Sequence, residues 1–283
     1  MNYQSTVEPG AVMLYVNDLQ KVSHYYQNVI GLQRITQSEN QISLGVDQTT
    51  LLHLVATERP RRQTYGLYHI ALLVPKRQDL GNFLQHLINL RAPIVGAADH
   101  GYSEAMYLED PEGNGIEVYV DKSVDVWDIR PNGQIVGVTE EIDADGVLAA
   151  RSPYFSEPYQ LPSGTRMGHV HLSVRDANET SAFYQAMFNL NDKFSVPSAS
   201  WIAGGQYHHH LAFNQWSGSN LPKREDGEPG LGYFTLRFAS QNDWQTTINN
   251  LSSQHIVINH LDIQNHQAEF VDDNGLKVKL ILD

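Results

Sequence analysis

Thirteen histidines and no cysteine stand in this chain of 283 residues. Any metal the protein holds must therefore be bound through imidazoles and carboxylates. Disulfides, thiolate metal sites and thiol nucleophiles are excluded. Strand alternation sorts the histidines, because successive strand residues point to opposite faces. In the stretch GHVHLSV, Val170, Leu172 and Val174 make one apolar face, and His169, His171 and Ser173 make the other. In YHIALLV the apolar face is Ile70, Leu72 and Val74, which leaves His69 opposite. In GIEVYV it is Ile116, Val118 and Val120, which leaves Glu117 and Tyr119 opposite. Three strands thus each aim a ligand-type side chain away from their packing face. Two imidazoles and one carboxylate form the set that binds Fe(II) or Mn(II) and leaves neighbouring positions open. Zinc takes the same ligand types. A lone strand histidine is more often a hydrogen-bonded core or rim residue, so the weight rests on where these three fall in the chain.

The elements that must position them are repeated. Val16, Asp18, Tyr26, Gln27 and Leu32 recur 158 residues further on as Val174, Asp176, Tyr184, Gln185 and Leu190. Five matches at one offset point to duplication. Each copy begins with an alternating strand, then an aspartate where a helix N-cap belongs, then a helix. Val22, Tyr25, Tyr26 and Ile30 mark the buried face of the first helix. Gly31 and Asn189 are suited to ending the two helices. Three short strands follow each helix, over 32–36, 41–45 and 50–55 in the first copy and 193–196, 200–203 and 208–213 in the second. A second unit of the same shape follows in each half: strand 67–75, helix 77–90 and a hairpin within 105–121, then strand 231–238, helix 241–254 and a hairpin within 269–282. The hairpin turns DPEGNG and DDNG are rich in residues that accept turn dihedrals. Asp110 is read as a turn residue without chemistry, and His53 as structural.

The fold class is therefore α+β, with four βαβββ modules forming two half-open barrels. The domains are 7–121 and 166–283, joined by a linker, 122–165, with room for one small hairpin. In the outer modules Ala11 stands in place of His169, and Tyr233 and Lys279 in place of His69 and Glu117. A complete triad requires modules 2 and 3 to share one barrel, leaving modules 1 and 4 to form the other.

These residues resemble the vicinal oxygen chelate superfamily, which includes glyoxalase I, fosfomycin and bleomycin resistance proteins, and extradiol dioxygenases. The stretches GLYHIALLVP, YLEDPEGNGIEVYVD, GHVHLSVRD and YHHHLAFN are most similar to the bacterial two-domain catechol-2,3-dioxygenase group. The resemblance implies Fe(II), with Mn(II) or another divalent metal as alternatives, held by His69, Glu117 and His169. It implies O₂ as co-substrate and a small aromatic diol as substrate. His209 resembles the acid/base histidine of these enzymes, with His208 and His210 as rivals, and Tyr107 resembles the tyrosine beside a substrate hydroxyl. His100 resembles a further histidine behind them, and His171 is expected on the pocket wall. A glyoxalase-like isomerase or lyase with a fourth protein ligand, and a binding protein without turnover, are the alternatives.

A net charge of −13 without a basic stripe argues against nucleic acid. No apolar run approaches the ~20 residues of a membrane span. MNYQSTVEPG lacks a basic stretch followed by an apolar core, so a cytoplasmic protein is expected. A homo-oligomer is expected by analogy.

Overall fold

The structure is a computed structural model and describes residues 5–283. Module 1 comprises β1 (Val7–Val16), α1 (Leu19–Tyr25), β2 (Gln33–Gln37), β3 (Gln41–Val46) and β4 (Thr49–Ala56). Module 2 comprises β5 (Gly66–Leu73), α2 (Arg77–Leu90), β6 (Gly96–Asp99), β7 (Ser103–Glu109) and β8 (Gly115–Asp121). The intervening stretch carries β9 (Asp128–Ile129), β10 (Ile135–Val136) and α3 (Ala144–Ala149). Module 3 comprises β11 (Arg166–Ser173), α4 (Ala177–Phe188), β12 (Asn191–Val196), β13 (Ala199–Ala203) and β14 (Leu211–Asn214). Module 4 comprises β15 (Gly230–Phe238), α5 (Gln241–Ser253), β16 (Ile258–Asp262), β17 (Gln267–Val271) and β18 (Lys277–Leu282).

Two eight-stranded sheets result, in the orders β12-β13-β14-β11-β5-β8-β7-β6 and β16-β17-β18-β15-β1-β4-β3-β2. Module 2 therefore pairs with module 3 through the antiparallel contact β5–β11, and module 1 with module 4 through β1–β15. This is the exchanged pairing that a complete triad requires. The two sheets curl into half-barrels, and the helices pack their apolar stripes on the faces away from the histidines. In α2 the buried positions are Leu80, Gly81, Phe83, His86 and Leu87. In α4 they include Ala177, Ser181, Tyr184 and Phe188, the three-and-four spacing of a one-sided helix.

The caps fall where expected. The Asp18 side chain accepts from the Lys21 amide, and that of Asp176 from the Asn178 and Glu179 amides. Gly31 (φ 92°) and Asn189 (φ 53°) take the left-handed conformation at the helix ends. The first helix departs from a regular α-helix: Tyr26–Ile30 is a π-helical turn. Gly31 accepts from the Leu161 amide, and the Tyr159 ring lies where a side chain at position 31 would go, so the turn widens against the returning chain.

The duplicated turns link the two sheets. Asp110 and Asp272 are buried, and each accepts several hydrogen bonds within its own turn. Each also accepts from a helix tyrosine of the preceding module, Tyr26 at 3.4 Å and Tyr184 at 3.1 Å. Burial pushes the Asp272 carboxyl up to about 6, from an ordinary 3.8, against the pull of the amides it accepts from. A carboxyl raised on folding contributes most at low pH, and that contribution is lost as pH rises from about 4 to about 6. In urea unfolding, the stability of the wild type relative to Asp272→Asn is expected to fall by up to about 3 kcal/mol across that window. A pH-independent difference would show that Asp272 does not titrate on folding.

Candidate functional site

Pairing registers carry three side chains to one place. His171 lies directly opposite His69 on β11 and β5, and His169 lies opposite Ala71. Ala71 in turn lies beside Glu117 on β8. His169, Ala71 and Glu117 therefore form one row across three strands, and the small side chain of Ala71 leaves the space into which the other two lean. His69, two residues along β5, faces the same way. The β5–β11 register slips between Met167 and His169 and again between His171 and Leu172, and such irregularities re-aim side chains. Gly168 sits at the first slip, where a Cβ would overlap the Tyr119 hydroxyl.

The ligand atoms of these residues form a compact triangle. Nε2 of His69 and Nε2 of His169 are 3.2 Å apart, and each is 3.0 Å from Oε2 of Glu117. All three residues are buried. Two imidazole nitrogens and a carboxylate oxygen at these separations cannot all satisfy one another, because two ring N–H groups donating to one oxygen would also face each other. Bonds of about 2.1 Å at right angles set neighbouring donors about 3.0 Å apart, so the triangle matches one face of an octahedral divalent metal site. The donor set thus fits such a metal. Electrostatics agree. Burial alone would raise the Glu117 carboxyl, but the two imidazoles outweigh it and hold it well below the usual range. Burial drives His169 down to about 4, against the opposing pull of Glu117. Near pH 7 His169 is therefore neutral and Glu117 ionised, the forms in which they bind a metal.

The triangle opens on a cleft of about 450 Å³. His100, Tyr107 and His209 line the same cleft. Nδ1 of His100 is 2.8 Å from the Val138 carbonyl, which only accepts, so Nδ1 carries the proton. Nε2 of His100 lies 2.6 Å from the Tyr107 hydroxyl, which also bonds the Glu117 carboxylate. Burial, followed by the Glu117 charge, raises Tyr107 far above its ordinary value, so it remains a hydroxyl. A second chain begins at Asp121. Its Oδ1 lies 2.9 Å from Nε2 of His208, and Nδ1 of His208 lies 2.8 Å from Nδ1 of His209. With Nε2–H of His208 donating to the carboxylate, the proton between the two Nδ1 atoms can sit on His209, which leaves Nε2 of His209 a lone pair when that ring is neutral. Burial and the surrounding imidazoles push His209 well below its ordinary value, which favours this neutral form.

The six residues singled out from the sequence (His69, Glu117, His169, His209, Tyr107 and His100) surround one cleft, and His171 forms its wall. One reading needs correction. The last strand of module 3 was expected over 208–213 but begins at Leu211. His208, His209 and His210 precede it in an irregular segment, and so all three are buried. Strand alternation therefore does not apply to them. The sequence reading missed Ala71, Asp121 and the part of the intervening stretch that walls the cleft, Ile135 with Gly137, Val138 and Thr139. The short stature of Ala71 in a strand of large residues was the only visible signal. His53 lies in the other sheet, bonded to the Ser43 hydroxyl at 2.9 Å.

Residues 9–118 match the family described as the Glyoxalase/Bleomycin resistance protein/Dioxygenase superfamily. Over 247 residues the chain is 34% identical to catechol-2,3-dioxygenase of Bacillus subtilis (strain 168), covering 85% of this chain and 86% of that one. The chain therefore belongs to this superfamily. Its resemblance to the bacterial catechol-2,3-dioxygenase, read first from four short stretches, extends over most of its length. Among solved structures, a protein from Bacillus subtilis subsp. subtilis str. 168 superposes with a TM-score of 0.67, covering 99% of this chain and 86% of its own at 11% identity. Glyoxalase I from Zea mays superposes with a TM-score of 0.58, covering 99% and 95% at 12% identity. At such identities these likenesses speak for the fold alone.

Two variants test the geometry. His169→Ala is expected to weaken Fe(II) or Mn(II) binding by at least about a hundredfold in anaerobic titrations. Ala71→Leu fills the space between His169 and Glu117 and should weaken binding comparably, at a stability cost of about 1–3 kcal/mol. Retention of metal by Ala71→Leu would show that this space is not what the triangle needs.

Proposed function

We propose that the protein is an extradiol ring-cleaving dioxygenase, which opens a catechol-type aromatic diol with O₂ at a non-haem Fe(II) held by His69, Glu117 and His169. The observation that carries this reading is the buried triangle of two imidazoles and one carboxylate, open toward a cleft that holds separate proton-handling groups. The 34% identity to a catechol-2,3-dioxygenase supports the same reading. Fe(II) bound there would supply adjacent positions for the two diol oxygens and O₂, and would lower the pKa of the coordinated phenol.

The protein's own groups divide the remaining work. Nε2 of His209 is the base that takes a hydroxyl proton and later returns it. Asp121 and His208 keep that nitrogen unprotonated at rest by fixing the tautomer. The Tyr107 oxygen accepts a hydrogen bond from the other hydroxyl, and His100 holds the phenol in place. Tyr102 stacks on His208 at 4.3 Å between ring centres and closes the relay from behind. The chain needs no serine or cysteine nucleophile for this chemistry.

The metal-dependent isomerase reading called for a fourth protein ligand. Among the described residues, the compact cluster of metal-type donors consists of His69, Glu117 and His169 and does not extend to the His208–His210 run. Three ligands with open neighbouring positions suit a diol and O₂ better.

Protein loaded anaerobically with Fe(II), mixed with catechol and exposed to oxygen, should take up O₂ and form a yellow ring-opened product. His209→Ala should lower kcat by about 10²–10⁴-fold while Fe(II) stays bound. Iron binding without oxygen uptake for any diol would refute the dioxygenase reading and leave the metal site standing.

A further inference from the structure

The proton-handling groups occupy one side of the cleft, and the other side is a continuous aromatic wall. His69 contacts His171 at 4.9 Å between ring centres, and His171 contacts Tyr68 at 4.8 Å and Trp216 at 5.6 Å. Tyr68 and Trp216 meet edge to face at 5.2 Å, and Trp201 continues the wall from His171 to Phe194. The wall thus runs from a triad residue out to the mouth, where Tyr68 is 43% and Trp216 52% exposed. Two large aromatic side chains half in solvent at a cavity mouth are positioned to cover an apolar guest.

The wall also carries no ammonium or guanidinium group. His171 is buried, and its Nε2 lies 3.0 Å from the Asn214 amide nitrogen. Among the described residues no lysine or arginine lines the cleft, and the acidic residues there are Glu109 and Glu117. A carboxylate on the substrate ring would lose water here and gain no cation in return, with Glu109 repelling it. An alkyl or aryl group would exchange water for the faces of Tyr68, Trp216 and His171.

Building on the dioxygenase reading, we propose that this wall sets specificity: the substrates are diols whose ring carries an uncharged alkyl or aryl substituent laid along Tyr68, His171 and Trp216, and diols bearing a ring carboxylate are rejected. Trp216 and Tyr68 are the specificity-determining residues.

Binding of methyl- and phenyl-substituted catechols and of dihydroxybenzoates to the Fe(II)-loaded protein, without oxygen, can be followed by quenching of tryptophan fluorescence. Cleavage of the same compounds is then compared after oxygen is admitted. The neutral substituted catechols should bind and turn over at least about tenfold better than the carboxylates. Trp216→Ala should shrink the preference for phenyl-substituted over unsubstituted catechol by about tenfold. Trp216→Arg should shift preference toward the carboxylates. Equal handling of carboxylates and neutral diols by the wild type, or a preference unmoved in Trp216→Ala, would overturn the assignment. Failure to cleave any diol would instead refute the dioxygenase reading, and the oxygen-free binding order would still decide whether the wall selects uncharged rings.

Discussion

The antiparallel pairing of β5 with β11 is the constraint on which the rest depends. Two of the three ligand-type residues sit on strands of module 2 and the third on module 3, so neither module has a site alone. Their nearness is set by a backbone ladder whose register puts His171 against His69 and His169 against Ala71. A slip of one residue would turn the histidines toward the helices and the valines and leucines into the cleft. Strand register is strongly specified where one face is buried, and here the apolar residues Ile70, Leu72, Val170 and Leu172 are fully buried. Packing of the helix side thereby fixes the chemistry of the concave side.

Burial governs the electrostatics in the same way. Three ligand atoms about 3 Å apart in a water-poor site, one carboxylate oxygen and two imidazole nitrogens, converge on a common point. The low dielectric keeps His169 neutral and leaves the protonated forms unattractive. The surrounding relays are arranged to match. Asp121 and the Val138 carbonyl are each acceptors, and each holds one ring nitrogen of a histidine, His208 on one side of the cleft and His100 on the other.

Much of this was legible in the sequence, for a definable reason. His69, Glu117 and His169 lie in regular strands, where alternation alone separates the two faces. Ala11, Tyr233 and Lys279 in the outer modules made a complete triad conditional on the exchanged pairing, which the resemblance implied and the strand orders show. Legibility ended where the backbone ceases to be regular. His208–His210 lie before a strand rather than in it, so no periodicity says which ring faces inward. Asp121 ends a strand, and its partner His208 is 87 residues away. The wall at 135–139 belongs to the stretch read only as a connection between halves. Long-range partnerships of this kind leave no local spacing for a sequence to display.

The second sheet shows what the same backbone becomes without the triad. Thr235 lies beside Lys279 on β15 and β18, as Ala71 lies beside Glu117 on β5 and β8, so Lys279 occupies the equivalent of the carboxylate position. Tyr233 lies opposite Met13, as His69 lies opposite His171. The Lys279 ammonium rests 3.9 Å from the centre of the Tyr233 ring and 3.8 Å from Glu269. A side-chain cation, an aromatic face and a carboxylate satisfy one another there, so this sheet neutralises itself. In the first sheet the corresponding place holds the Glu117 carboxylate with the imidazoles of His69 and His169. Duplication thus produced two nearly identical frames, one closed by its own lysine and the other carrying a carboxylate and two imidazoles that converge on one point. That difference rests on a few side chains at equivalent register positions, and it sets modules 2 and 3 apart although all four share one fold.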